Sequence, residues 1–174
     1  EVTLRSPDSL ESIKNIKSAF ADMTVGAGTV LSVKTVDDAI MSGADFIVSP
    51  GYDDEVVDYC ILKGITIVPG CVSASEIQKA AKKGLKVLKF FPAEQSGGLS
   101  KIKAMSAPFP MFKVMPTGGI GLNNLKEYIS CPVIAACGGS YMVTADLIDN
   151  GKWDEIIELC KKSVDIVKEA RSNG

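Results

Sequence analysis

The sequence predicts an α/β protein with a parallel sheet, read as a (β/α)8 barrel whose first βα unit is missing from this chain. Three observations predict it. Segments of about twenty residues repeat as amphipathic helix, glycine and apolar strand, and alternating β and α implies parallel pairing. The strands are near-continuous apolar runs, as expected where both faces are covered. Their number is about seven, one short of a barrel, whereas an open doubly wound sheet would leave different edges.

Taken in order, the strands are Val2 to Arg5, Thr24 to Val30, Phe46 to Pro50, Thr66 to Gly70, Val87 to Pro92, Phe112 to Thr117 and Val133 to Cys137. Gly43, Gly64 and Gly84 stand just before three of them, where a helix ends on a residue with positive φ. Three helix starts carry capping signals: Ser6 with Pro7 at the first helical position, Thr35 followed by Asp38, and Ser73 followed by Glu76 as a capping box. In the first helix Leu10, Ile13, Ile16 and Phe20 recur at helical spacing and are expected to face the core. A last helix from about Trp153 to Arg171 has Ile156, Leu159, Cys160, Val164 and Val167 on one face. Because Glu1 opens directly in strand-like sequence, residues 1–174 are read as a single barrel domain, N-terminally incomplete.

Composition narrows the function classes. A net charge of −2 and a pI near 5.2, with no long basic run, give no electrostatic case for nucleic acid or an anionic membrane, so a small molecule is the expected partner. No apolar run reaches the ~18 residues needed to span a bilayer, and no signal-peptide pattern opens the chain, so a cytoplasmic location is expected. The 5 cysteines (Cys60, Cys71, Cys131, Cys137, Cys160) show no CxxC spacing and read as reduced core thiols. The absence of histidine removes the commonest general base, the usual zinc ligand and every Ser-His or Cys-His scheme. Proton transfer is left to a carboxylate, a lysine, a tyrosine or water.

One lysine stands apart. Lys89 lies between Leu88 and Phe90 on a strand that must be buried, while Lys82, Lys83 and Lys86 sit on a polar helix end or turn. Burial penalises the ammonium and so favours the neutral amine, which is the form that attacks carbonyls. In the opening strand, alternation places Glu1, Thr3 and Arg5 on one face and Val2 and Leu4 on the other. In a barrel that polar face points into the lumen, where an arginine suits a substrate carboxylate and a glutamate near Lys89 can move protons. Glycine pairs follow the last two strands, in Thr117-Gly118-Gly119 and Gly138-Gly139-Ser140, at loops that in barrels commonly bind phosphate. Gly26-Ala27-Gly28-Thr29 ends another strand with a hydroxyl able to contact a carboxylate or carbonyl, and Gly97-Gly98 shapes the entry to the next helix.

These residues resemble a known family, the 2-keto-3-deoxy-6-phosphogluconate aldolases and the related 4-hydroxy-2-oxoglutarate aldolases. The resemblance rests on Glu1 to Arg5, Gly26 to Val30, Val48-Ser49-Pro50-Gly51, Leu88 to Glu94, Pro116 to Ile120 and Gly138-Gly139-Ser140, all in family order. It implies a TIM barrel and a homotrimer. It also implies a class I lyase without metal or organic cofactor, acting in the Entner-Doudoroff pathway on a phosphorylated 2-keto acid to release pyruvate. On matching positions Lys89 resembles the Schiff-base lysine and Glu1 the general acid/base. Arg5 and Thr29 resemble the residues that hold the substrate carboxylate, Pro50 and Phe91 line the site, and Gly118, Gly119, Gly139 and Ser140 resemble the phosphate cradle. Thr117 replaces an apolar residue expected in galactonate-specific relatives, which implies the gluconate substrate. The alternatives are an enzyme for unphosphorylated 4-hydroxy-2-oxoglutarate, or a non-catalytic phosphate-binding fragment.

Overall fold

The computed structural model describes residues 1–172. The elements alternate from the start: β1 (Val2–Thr3), α1 (Ser9–Ala19), β2 (Gly26–Gly28), α2 (Val33–Met41), β3 (Phe46–Val48), α3 (Asp54–Leu62), β4 (Thr66–Val68), α4 (Ala74–Lys82), β5 (Val87–Phe90), α5 (Gly98–Ser106), β6 (Lys113–Pro116), α6 (Leu125–Ile129), α7 (Ala145–Asp149) and α8 (Trp153–Ser172). Every strand pair is parallel, as the alternation requires. The strands form two sheets, β1-β2-β3-β4 and β5-β6, rather than one closed ring. The chain divides into two compact units, Glu1–Cys71 and the part beginning at Val72.

In the first unit the register runs Thr3 to Gly28 to Val48 to Val68, so the strands end level with one another. Ala27, Ile47 and Val48 are fully buried, with Ile13, Val36, Ala39, Val56, Val57 and Cys60 of the helices packed in the same core. Gly26 is required by that packing, because a Cβ there would overlap the Phe46 ring. Asp45 anchors the entry to β2 by accepting the Val25 N–H at 2.7 Å and pairing with Lys17 at 3.0 Å. Those bonds, the Val25 one foremost, hold its carboxyl below the ordinary value.

In the second unit a core of Phe90, Ala93, Leu99, Ile102, Val114, Ile120, Leu125, Tyr128 and Ile129 sits against β5 and β6. Ile166, Val167 and Ala170 of α8 pack on its edge. The α8 residues facing inward therefore differ from the expected set: Cys160 is exposed and Val164 is 49% exposed. Ser163 belongs to the inner stripe despite its polarity, because its hydroxyl meets that of Tyr141 at 2.6 Å. The expectation of five core thiols is corrected by Cys160.

Other boundaries also move. The seventh strand, Val133 to Cys137, is reduced to isolated bridges, Val114 with Ile134 and Thr117 with Gly138. Pro116 explains the break: the ladder needs an N–H from that position toward the Val133 segment, and proline has none. Val114 and Ala135 still bond across it, and Gly138 bonds to the Pro116 carbonyl one residue out of step. The first helix starts at Ser9, not at Pro7, because Ser6 to Ser9 closes as a turn with the Ser9 N–H on the Ser6 carbonyl. Phe20 falls just beyond that helix and is 60% exposed, so it is not a core residue. The cap of α2 is Ser32, which accepts from the Thr35 N–H, and Thr35 itself lies inside the helix. The Ser73–Glu76 capping box forms as expected, and Gly43, Gly64 and Gly84 all have positive φ.

Candidate active site

In the first unit, Thr29 and Pro50 lie past the C-terminal ends of their strands, while Glu1 stands at the start of its own. Glu1 precedes β1 with its carboxylate lying over Gly28 of the neighbouring strand, in the space a Gly28 Cβ would occupy. The Thr3 hydroxyl donates to Glu1 Oε1 at 3.4 Å. The alternation that groups Glu1, Thr3 and Arg5 stops short of Arg5, because β1 ends at Thr3 and the Arg5 N–H folds back onto the Thr3 carbonyl at 2.9 Å. Arg5 is exposed beyond the ladder.

Thr29 follows β2 directly and has φ of 59°, the left-handed region. A β-branched residue held there costs on the order of 1–3 kcal/mol, and such strain concentrates where a side chain must be aimed. Pro50 lies two residues past β3. Its carbonyl occupies the place of a Gly70 Cβ, so Gly70 is the residue that lets the loop after β3 settle. Ser49 Oγ donates to the Gly51 carbonyl at 2.8 Å and holds the same turn.

In the second unit, Lys89 is in β5 opposite Met115 and is 5% exposed. Its ammonium stands 5.2 Å from the centroid of the Phe91 ring, which is 41% exposed. Thr117 leaves β6 with its N–H on the Phe90 carbonyl. Among the described residues Thr117 Oγ1 is buried without a hydrogen-bond partner, and it lies 2.5 Å from where a Gly138 Cβ would stand. A buried hydroxyl without a protein partner is completed by water or by a bound group.

The first glycine pair turns sharply, with φ of 97° at Gly118 and 77° at Gly119. Its loop lies close to residues 91–94: the Ala93 and Glu94 N–H groups donate to the Thr117 and Gly118 carbonyls at 2.8 and 3.2 Å. Among the described residues, the N–H groups of Gly119, Gly139 and Ser140 donate to no backbone carbonyl. Gly139 is required by Tyr141, whose ring lies 2.9 Å from the position of a Gly139 Cβ.

Two residues around this loop, Asn124 and Tyr128, carried no sequence signal, and Glu94 was given no role of its own. Asn124 donates to the Gly119 carbonyl at 2.9 Å and accepts the Gly121 N–H at 2.9 Å. The Tyr128 hydroxyl donates to the Glu94 carboxylate, and the Glu94 stem lies beside Gly119. Burial first, and the Glu94 carboxylate second, push the Tyr128 phenol well above its ordinary pKa, so it remains a donor. The only sequence signal was Glu94 itself, at the end of the Leu88 to Glu94 segment. A cavity of about 310 Å³ in this unit is walled by Ile120, Leu125, Cys137, Gly139, Tyr141 and Arg171 among others. It therefore borders the second glycine pair at Gly139, while Lys89, Phe91 and Thr117 do not line it. Among the described residues no group of three or more histidine, cysteine, aspartate or glutamate side chains is placed to hold a metal ion.

The family described as KDPG and KHG aldolase matches residues 1–159. A 2-dehydro-3-deoxy-phosphogluconate aldolase of Treponema pallidum is 44% identical over 167 residues, 96% of this chain and 80% of that protein. A crystal structure of KDPG aldolase from Legionella pneumophila, with pyruvate captured at low pH as a covalent carbinolamine intermediate, aligns with a TM-score of 0.87 and 38% identity. It covers 91% of this chain and 77% of its own. A cube-shaped, porous cage designed by fusing symmetric oligomeric domains aligns at 0.85 with 30% identity, covering 99% of this chain and 63% of its own. These alignments place the chain in a TIM-barrel-like α/β fold.

Proposed function

The chain belongs to the KDPG and KHG aldolase family, and from that premise we propose that it cleaves 2-keto-3-deoxy-6-phosphogluconate through a Schiff base on Lys89. The observation that carries the reading is Lys89 itself. It is buried on a strand, in a chain aligned with an aldolase that holds pyruvate as a covalent carbinolamine. Burial disfavours the ammonium, and the neutral amine is the nucleophile.

The Lys89 amine attacks the C2 ketone to give a carbinolamine, which loses water to become a protonated imine. That imine is the electron sink. Loss of the C4 hydroxyl proton breaks the C3–C4 bond, releasing glyceraldehyde 3-phosphate and pushing the electron pair into an enamine. Protonation at C3 and hydrolysis return pyruvate and free Lys89. Glu1 is assigned the proton transfers. Arg5 and Thr29 are assigned the substrate carboxylate, with Pro50, Phe91 and Thr117 lining the site. Gly118, Gly119, Gly139 and Ser140 are assigned the phosphate, whose binding far from the reacting carbons can be used to orient C3 and C4.

A second reading, turnover of unphosphorylated 4-hydroxy-2-oxoglutarate, is favoured by the family description, which names both activities. The two separate by phosphate dependence. Two or more charge-assisted bonds to phosphate are expected to make kcat/KM for the phosphorylated substrate about 10²-fold higher or more, with inorganic phosphate competing. Equal kcat/KM for both substrates and no competition would favour the second reading.

The assembly we assign is a homotrimer. Its support is the set of exposed apolar side chains on the first unit, Leu62 at 81% and Met41 at 75% among them, together with the alignment to a cage built from symmetric oligomeric domains. Sedimentation equilibrium is expected to return the mass of three chains; a single 18.4 kDa species contradicts it. All 5 cysteines are free, which suits a reducing cytoplasm as the location.

A further inference from the structure

We propose that Tyr128 is a positioning residue that, acting through Glu94, fixes the Gly118-Gly119 turn for the substrate phosphate. The inference rests on the assignment of that turn to phosphate binding. Tyr128 is 2% exposed in the core of the second unit, and a phenol buried this deeply needs a partner for its hydroxyl. The partner is the Glu94 carboxylate, whose residue is otherwise exposed. The same carboxylate oxygen and the phenol oxygen both lie 3.2 Å from the position of a Gly98 Cβ, so the bond is seated over the glycine that opens α5.

The rest of Glu94 reaches the loop. Its Cβ stands 2.7 Å from where a Gly119 Cβ would be, and its N–H holds the Gly118 carbonyl at 3.2 Å. Asn124 holds the Gly119 carbonyl from the other side. The turn is therefore clamped twice, once by Asn124 and once by Glu94, and the Glu94 side chain that packs on Gly119 is fixed at its far end by the bond to Tyr128. The bond has a second consequence. A carboxylate beside a phosphate site repels the ligand, and Tyr128 ties this one to a buried hydroxyl rather than leaving it to swing toward the anion.

Removing the hydroxyl should act on phosphate and not on the imine. In Tyr128→Phe the KM for the phosphorylated substrate is expected to rise about 10-fold, while kcat and the KM for 4-hydroxy-2-oxoglutarate stay within about 2-fold. Adding Glu94→Gln to that variant removes the freed charge but does not restore the tie, and is expected to recover only part of the lost KM. A Tyr128→Phe variant that weakens both substrates equally, or a double variant restored fully to the wild-type KM, overturns the proposal. If Tyr128→Phe does not fold, Glu94→Ala removes the side chain that packs on Gly119, together with its bond to Tyr128, at an exposed residue, and must raise KM for the phosphorylated substrate alone; equal effects on the two substrates overturn the proposal there too. A wild-type protein without phosphate dependence would instead overturn the phosphate assignment, a separate result read in the same assay.

Discussion

Lys89→Met is expected to lower kcat by on the order of 10⁴-fold or more while leaving the protein folded and as stable as before. Methionine matches the length of the lysine stem and is apolar, as suits a position that is 5% exposed. What is lost is the amine, and with it every covalent step: no carbinolamine, no imine and no sink for the electrons of the C3–C4 bond. The melting temperature should change little, because the substitution keeps an unbranched buried stem of similar length and changes only its end. Thermal melting alongside steady-state kinetics checks both halves. A variant retaining a tenth of the wild-type kcat would place the nucleophile elsewhere.

Gly28→Ala is expected to cost about 10²- to 10⁴-fold in kcat with little loss of stability, although Gly28 makes no contact with substrate in the mechanism. The added Cβ would overlap the Glu1 carboxylate and lie 3.0 Å from Glu1 Cγ, so the Glu1 side chain must leave its place. Moving the far end of an exposed, flexible side chain is cheap. The backbone is otherwise suited to alanine, since Gly28 sits in a regular parallel ladder opposite Thr3 and Val48 and is not among the residues with positive φ. The effect should therefore match that of Glu1→Gln, and combining the two should cost no more than either alone. Full kcat in Gly28→Ala would remove Glu1 from the proton transfers.

Features legible in the sequence were those set by a few neighbouring residues. Gly43, Gly64 and Gly84 end their helices because a left-handed residue is wanted there, and Ser73 with Glu76 caps α4 because both groups lie within one turn. Lys89 could be read as buried because its flanks are large and apolar. Where the reading failed, the cause lay on another segment in all cases but one, the cap of α2. The strand at Val133 to Cys137 is broken by Pro116, on a neighbouring strand. The inner stripe of α8 includes Ser163 because Tyr141 needs a partner, which no apolar periodicity can report. Ser32 rather than Thr35 caps α2, since two hydroxyls three residues apart compete and their spacing does not say which stays outside the helix. At the candidate site, Glu94 was visible but Tyr128, 34 residues later, was not: the pairing exists only once β6 and α6 bring the two segments together.

Borohydride reduction in the presence of pyruvate, followed by peptide mass mapping, reads directly whether Lys89 forms the imine. The expected result is one reduced pyruvyl adduct, on Lys89, absent from Lys89→Met. A folded sample that gives no adduct, or one modified at another lysine, contradicts the account; absence of any adduct would leave phosphate binding without imine chemistry as the reading of this chain.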